Sequence, residues 1–141
     1  MRKVISILMC LLMCFLPSFT ARAQAVPTSI VQLYYEKAVN ALSELSINVT
    51  TATCKSITKG NSDVVEVVAE QSLQKQGFLW IWSTYDGAEW TKTVYINSLS
   101  MSNTKTGLSR GKYRLKTVFT LTDKQGKTET ITVYSDEKTV G

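Results

Sequence analysis

The sequence predicts an all-β domain, a two-sheet antiparallel sandwich of about seven strands with immunoglobulin-like architecture, behind a cleaved signal peptide. Three observations carry this. Residues 112–122 alternate, with Tyr113, Leu115, Thr117, Phe119 and Leu121 on one face and Lys112, Arg114, Lys116, Val118, Thr120 and Thr122 on the other. That is the period of a half-buried strand. Turn signals recur at short, regular intervals from Asn48 onward, as in all-β sandwiches. Leu108 and Tyr113 bracket Gly111 just before the alternating run, which fits a tyrosine corner with the phenol bonded to backbone near Leu108.

The amino terminus reads as a secretory signal spanning residues 1–25. Arg2 and Lys3 form the charged region, Val4 to Leu16 the apolar core, and Ala21-Arg-Ala23 or Ala23-Gln-Ala25 the cleavage site. The apolar run is too short to span a bilayer as a helix. Lipid attachment at Cys10 or Cys14 is disfavoured, because Met9 and Met13 occupy the position where a small residue is wanted. Cleavage removes three of the 16 basic residues, leaving 13 against 11 acidic ones. It also removes two of three cysteines, so Cys54 is alone and no intramolecular disulfide is available. The expected location is secreted or extracellular, with association to the cell wall as a variant. The membrane touches the chain only through the signal.

Residues 26–37 form a lead segment. Val31, Tyr35, Ala38 and Leu42 fall at helical spacing, and Ser29 with Gln32 resembles a capping box behind Pro27. A short helix or an irregular lead both fit. The sandwich then occupies residues 38–141. A first strand leads into a turn near Asn48-Val49-Thr50, a second runs from Thr51 to Thr58, and Gly60-Asn61-Ser62-Asp63 turns the chain. A third strand follows from Val64 to Leu73, with Glu66 and Glu70 on one face and Val65, Val67, Ala69, Gln71 and Leu73 on the other. Gln76-Gly77 leads into Phe78-Leu-Trp-Ile-Trp82, read as a strand, with Asp86-Gly87 closing a hairpin and Trp90 to Met101 returning.

The last hairpin permits a choice of register. A two-residue Gln125-Gly126 turn would put Ile131 and Val133 outside. A three-residue Lys124-Gln125-Gly126 loop pairs Phe119 with Ile131 and Thr117 with Val133 instead. It also places Gly126 where positive φ is needed. The same register would set Asp136 opposite Arg114.

Ala52-Thr-Cys54, Leu73-Gln-Lys75, Gly111-Lys-Tyr-Arg114 and Thr128-Glu-Thr-Ile-Thr-Val-Tyr-Ser135 resemble the uncharacterised small secreted immunoglobulin-like β-sandwich proteins of Gram-positive bacteria. The resemblance covers roughly Leu45 to Ser135 and implies a fold but no activity. The dense Phe78–Trp82 run departs from it, since a strand with tryptophans separated by polar residues is expected there.

Two constellations qualify as contact sites. Trp80, Trp82, Tyr85 and Trp90 cluster within eleven residues, and such aromatics stack on sugars or anchor protein interfaces. Arg110, Lys112, Arg114 and Lys116 alternate and form a cation row suited to an anionic wall polymer. The near-balanced mature charge argues against nucleic acid. There is no His, so the usual general base and the commonest metal ligand are missing. No cofactor, metal or catalytic set is expected. The function expected is a secreted non-catalytic module binding a protein or cell-surface glycan, with electrostatic retention on wall polymer as the alternative and a small hydrolase as the least favoured reading.

Overall fold

The computed structural model describes residues 35–141. The expected signal and residues 26–34 lie outside the described residues, and residues 35–37 are irregular. Eight strands form two antiparallel sheets. In the smaller sheet β2 (Thr51–Gly60) lies between β1 (Ala38–Asn48) and β5 (Ser98–Lys105). The larger follows the order β4-β3-β6-β7, from β3 (Val64–Gln76), β4 (Trp82–Val94), β6 (Gly111–Asp123) and β7 (Thr128–Tyr134). After a break at residues 135–137, β8 (Lys138–Val140) resumes along β6 opposite Gly111–Tyr113.

The β6–β7 register pairs Thr117 with Val133 and Phe119 with Ile131, as the three-residue loop requires. Gly126 has φ 78°. Asp123 Oδ1 accepts from the N–H groups of Gln125 and Lys127, both at 2.9 Å. Leu115, Thr117, Phe119 and Leu121 are all fully buried, so the odd positions of this strand do point inward.

Four expectations need correction. Phe78-Leu-Trp-Ile-Trp82 is not a strand: residues Phe78–Trp80 make a single 3-10 turn, and the reversal between β3 and β4 happens there. Asp86-Gly87 closes no hairpin, because β4 runs through it. Ser72 pairs with Glu89 and Gln74 with Thr84, so Tyr85–Ala88 oppose Leu73 alone in a wide bulge where Gly87 takes φ 61°. The expected Trp90 to Met101 strand divides at Tyr95–Asn97, and its halves lie in different sheets. In β3 a register shift between Val64 and Glu66 buries Val64 and leaves Val65 exposed.

The core has two apolar clusters. One gathers Leu45, Cys54, Leu73, Tyr113 and Leu115; the other gathers Val67, Ala69, Leu99, Phe119, Leu121 and Ile131. Between them along the strands runs a polar belt of Ser43, Ser56, Gln71, Asn103 and Thr117. Thr117 shares hydroxyl bonds with Ser43 at 3.0 Å and Ser56 at 2.7 Å. Gln71 Nε2 donates to Ser56 Oγ at 2.6 Å, and Asn103 Nδ2 donates to Gln71 Oε1 at 2.8 Å. No buried side-chain polar atom among the described residues is left without a partner, which is the condition for such a network to be tolerated.

At the end carrying the β6–β7 loop, Lys37 and Asp123 form a buried ion pair at 2.5 Å. The Glu129 carboxylate accepts from the backbone N–H groups of Glu36, Lys37 and Ala38 at 2.7, 2.9 and 3.1 Å. The hydrogen bond from Lys37 holds Asp123 below the usual carboxylate range against the opposing effect of desolvation. The same bond raises Lys37.

Candidate functional site

The β3–β4 hairpin ends in a turn built against its own interest. Leu79 and Trp80 both have positive φ, 57° and 59°. The Ile81 N–H donates to Phe78 O at 3.3 Å and the Gly77 N–H to Ile81 O at 2.8 Å. Two left-handed central residues are the mark of the mirror-image type I hairpin turn, whose usual occupants are Asn-Gly. Non-glycine residues there cost roughly 1–2 kcal/mol each. The side chains gain little burial in exchange: Phe78 is 88% exposed, Leu79 65%, Trp80 77% and Ile81 63%. Of these four only Trp80 is singled out by its sequence. The signal for the others is an apolar run without polar alternation, which reads equally well as a strand covered on both sides.

The other three aromatics do not join Trp80 in one row. Trp82 lies on the outer face of the larger sheet, partly buried. The guanidinium of Arg114 sits 4.4 Å from its ring and 4.3 Å from that of Tyr134. Arg114 Nε also donates to Gln74 Oε1 at 2.8 Å. Tyr85, in the bulge, packs edge-on to Tyr113 with centroids 5.5 Å apart and donates to Gly107 O at 3.2 Å. Trp90 pairs with Gln71 on the inner side and packs against both core clusters. Arg114 thus covers one face of Trp82, and Trp90 is turned toward the core.

The cation row is likewise divided. Lys112 pairs with Glu137 at 3.5 Å, Arg114 is held between two rings, Lys116 is partly buried, and Arg110 is exposed. The β6–β7 ladder ends at Lys116 and Tyr134, and although the Ser135 N–H still donates to Leu115 O at 2.9 Å, no ladder pair joins Asp136 to Arg114.

At the corner, the Tyr113 hydroxyl donates to Ser109 O at 2.6 Å. Leu108 is buried, and its N–H donates to Thr50 O at 2.9 Å. Gly111 has φ 146°, and a Cβ there would stand 2.7 Å from Lys75 Cε. Leu108 fastens the loop ahead of β6 to the β1–β2 turn, while Tyr113 ties the corner to itself and Gly111 leaves room for Lys75.

Cys54 is buried, and burial pushes its thiol up to about 12, so it is held as an inert thiol. Among the described residues, no three His, Cys, Asp or Glu side chains are grouped to hold a metal ion. One depression, about 500 Å³, lies between β1 and the β7–β8 break and is lined by residues including Leu42, Leu45, Tyr134 and Lys138. Another, about 400 Å³, lies on the outer face and includes Glu70, Glu89 and Lys116. Neither includes the exposed turn. No family model matches the chain, and no curated protein matches it.

Proposed function

We propose that this chain is a secreted, non-catalytic module of immunoglobulin-like architecture that acts by attachment at the cell surface, with the Phe78–Ile81 turn as its contact surface. The observation that carries the reading is Leu-Trp at two left-handed positions of an exposed turn. Asn-Gly would serve the fold better there, so the apolar residues answer to something outside it. The strand order β1-β2-β5 over β4-β3-β6-β7 and the Tyr113 corner support the immunoglobulin-like reading. They also favour a place among the small secreted sandwich proteins of Gram-positive bacteria that the sequence resembles. Glycan stacking has less support, since Arg114 covers one face of Trp82 and Trp90 packs against the core. Retention by the cation row has less support too, since Lys112 and Arg114 already have partners.

The test is retention of residues 26–141, which hold every strand and both core clusters, on purified Gram-positive envelope. The variant is Leu79→Asn with Trp80→Gly. Restoring the preferred turn residues should leave the unfolding midpoint equal or higher while retention falls. A variant retained as well as the wild type, or a wild type that the envelope does not hold, would refute the reading.

A further inference from the structure

We infer that the surface this turn contacts is the interfacial layer of a lipid bilayer bearing anionic headgroups. This rests on reading the turn as a contact surface and goes beyond the expectation that the membrane meets the chain only through its signal. Shape is the first argument. A stable protein interface draws on about 20–30 residues a side over a broad patch. Here the strongly exposed large hydrophobics at this end are Phe78, Leu79, Trp80, Ile81 and Val49, set on two narrow turns. The Leu108 bond to Thr50 ties the second of these turns to the corner. A convex tip of consecutive apolar side chains fits a deformable medium better than a rigid one.

Charge is the second argument. Register pairs Lys75 with Tyr113 and Tyr113 with Lys138, which brings Lys75, Arg110 and Lys138 to the strand ends around the tip, beside the already partnered Lys112 and Arg114. The acidic residues toward this end are Asp86, Asp136 and Glu137, the last paired with Lys112. Basic side chains near a membrane surface are drawn to anionic lipid, and tryptophan settles at the headgroup level.

The backbone sets the depth. The turn closes two of its N–H groups internally, at Gly77 and Ile81, while the strained residues between them lack ladder partners. Unsatisfied peptide groups are costly in hydrocarbon, so the tip reaches the headgroup and upper acyl region and stops. No helix among the described residues is long and apolar enough to cross a membrane. The attachment is that of a wedge resting in one leaflet.

The experiment is cosedimentation of residues 26–141 with protein-free vesicles of phosphatidylcholine and phosphatidylglycerol in a 3:1 ratio, beside the Leu79→Asn, Trp80→Gly variant. The wild type should pellet, and the variant should partition about tenfold more weakly or worse. A wild type that stays in solution, or a variant that pellets equally, overturns the inference. Envelope treated with protease separates this failure from that of the broader reading. If binding to envelope depends on the turn, is lost after protease and is absent on vesicles, the partner is a protein, so lipid is wrong and the contact surface right. Turn-independent binding to both, or none to either, removes both.

Discussion

Replacing Tyr113 by Phe deletes one oxygen and leaves the ring where it is. The ring is fully buried, and its edge-to-face contact with Tyr85 needs no hydroxyl. What is lost is the 2.6 Å bond to Ser109 O, together with a longer contact to Ser109 Oγ at 3.3 Å. A typical intramolecular hydrogen bond contributes about 1 kcal/mol net, and stranding a buried acceptor raises the cost toward about 3 kcal/mol. Ser109 is itself exposed, so water can reach its carbonyl and the cost stays near the lower end, about 1–1.5 kcal/mol. For a domain near a hundred residues that lowers the thermal midpoint by roughly 4–12 °C. Circular dichroism melts and urea titrations of residues 26–141 would measure it, with the urea slope unchanged. Tyr85→Phe is the matched comparison, since its longer 3.2 Å bond to Gly107 O lies at an exposed position, and it should cost less than half as much. An unchanged midpoint for Tyr113→Phe, or a larger loss for Tyr85→Phe, would refute the reasoning.

Thr117→Val keeps the volume and removes the hydroxyl that Ser43 and Ser56 share, so urea denaturation should show a loss of about 1–3 kcal/mol. No loss would mean that the belt contributes nothing. Stability should also fall at both extremes of pH. Asp123 titrates lower when folded, so its contribution is full above the unfolded value near 3.9 and is lost as pH falls through the folded value. Lys37 titrates higher when folded, so its contribution is full below about 10.4 and is lost as pH rises through the folded value. Melting Lys37→Met across the pH range should flatten the alkaline limb and make the acid limb shallower, and limbs like those of the wild type would speak against the pair.

The larger sheet's central strand was readable because period and turn chemistry agree on it. Phe119 and Ile131 share a face in only one of the two loops, and Gly126 suits that loop. The β4 region defeats such reading because composition and tertiary structure disagree there. Phe78 to Trp82 has strand propensity but serves as a turn, and Asp86-Gly87 has turn propensity but lies within a strand. Period cannot show that three extra residues will bulge opposite Leu73. The belt was half legible: Gln71 and Thr117 fall on the inward faces by alternation, but only the facing of the two sheets brings Ser43, Ser56 and Asn103 to them. Of the contact residues, Trp80 stands out by type. Phe78, Leu79 and Ile81 become notable only once their exposure and the left-handed backbone are known.

The bulge in β4 has a further consequence for how molecules meet. β4 is an outermost strand of 13 residues, and a straight strand of that length would display an unbroken row of donors and acceptors to any passing chain. Tyr85–Ala88 interrupt the row, with Gly87 turned into the left-handed region. A neighbouring strand finds register only along Trp82–Thr84 on one side and Glu89–Val94 on the other, each a poor template for continuous growth. The irregularity that hid this strand in the sequence thus also guards the sheet against aggregation along that edge.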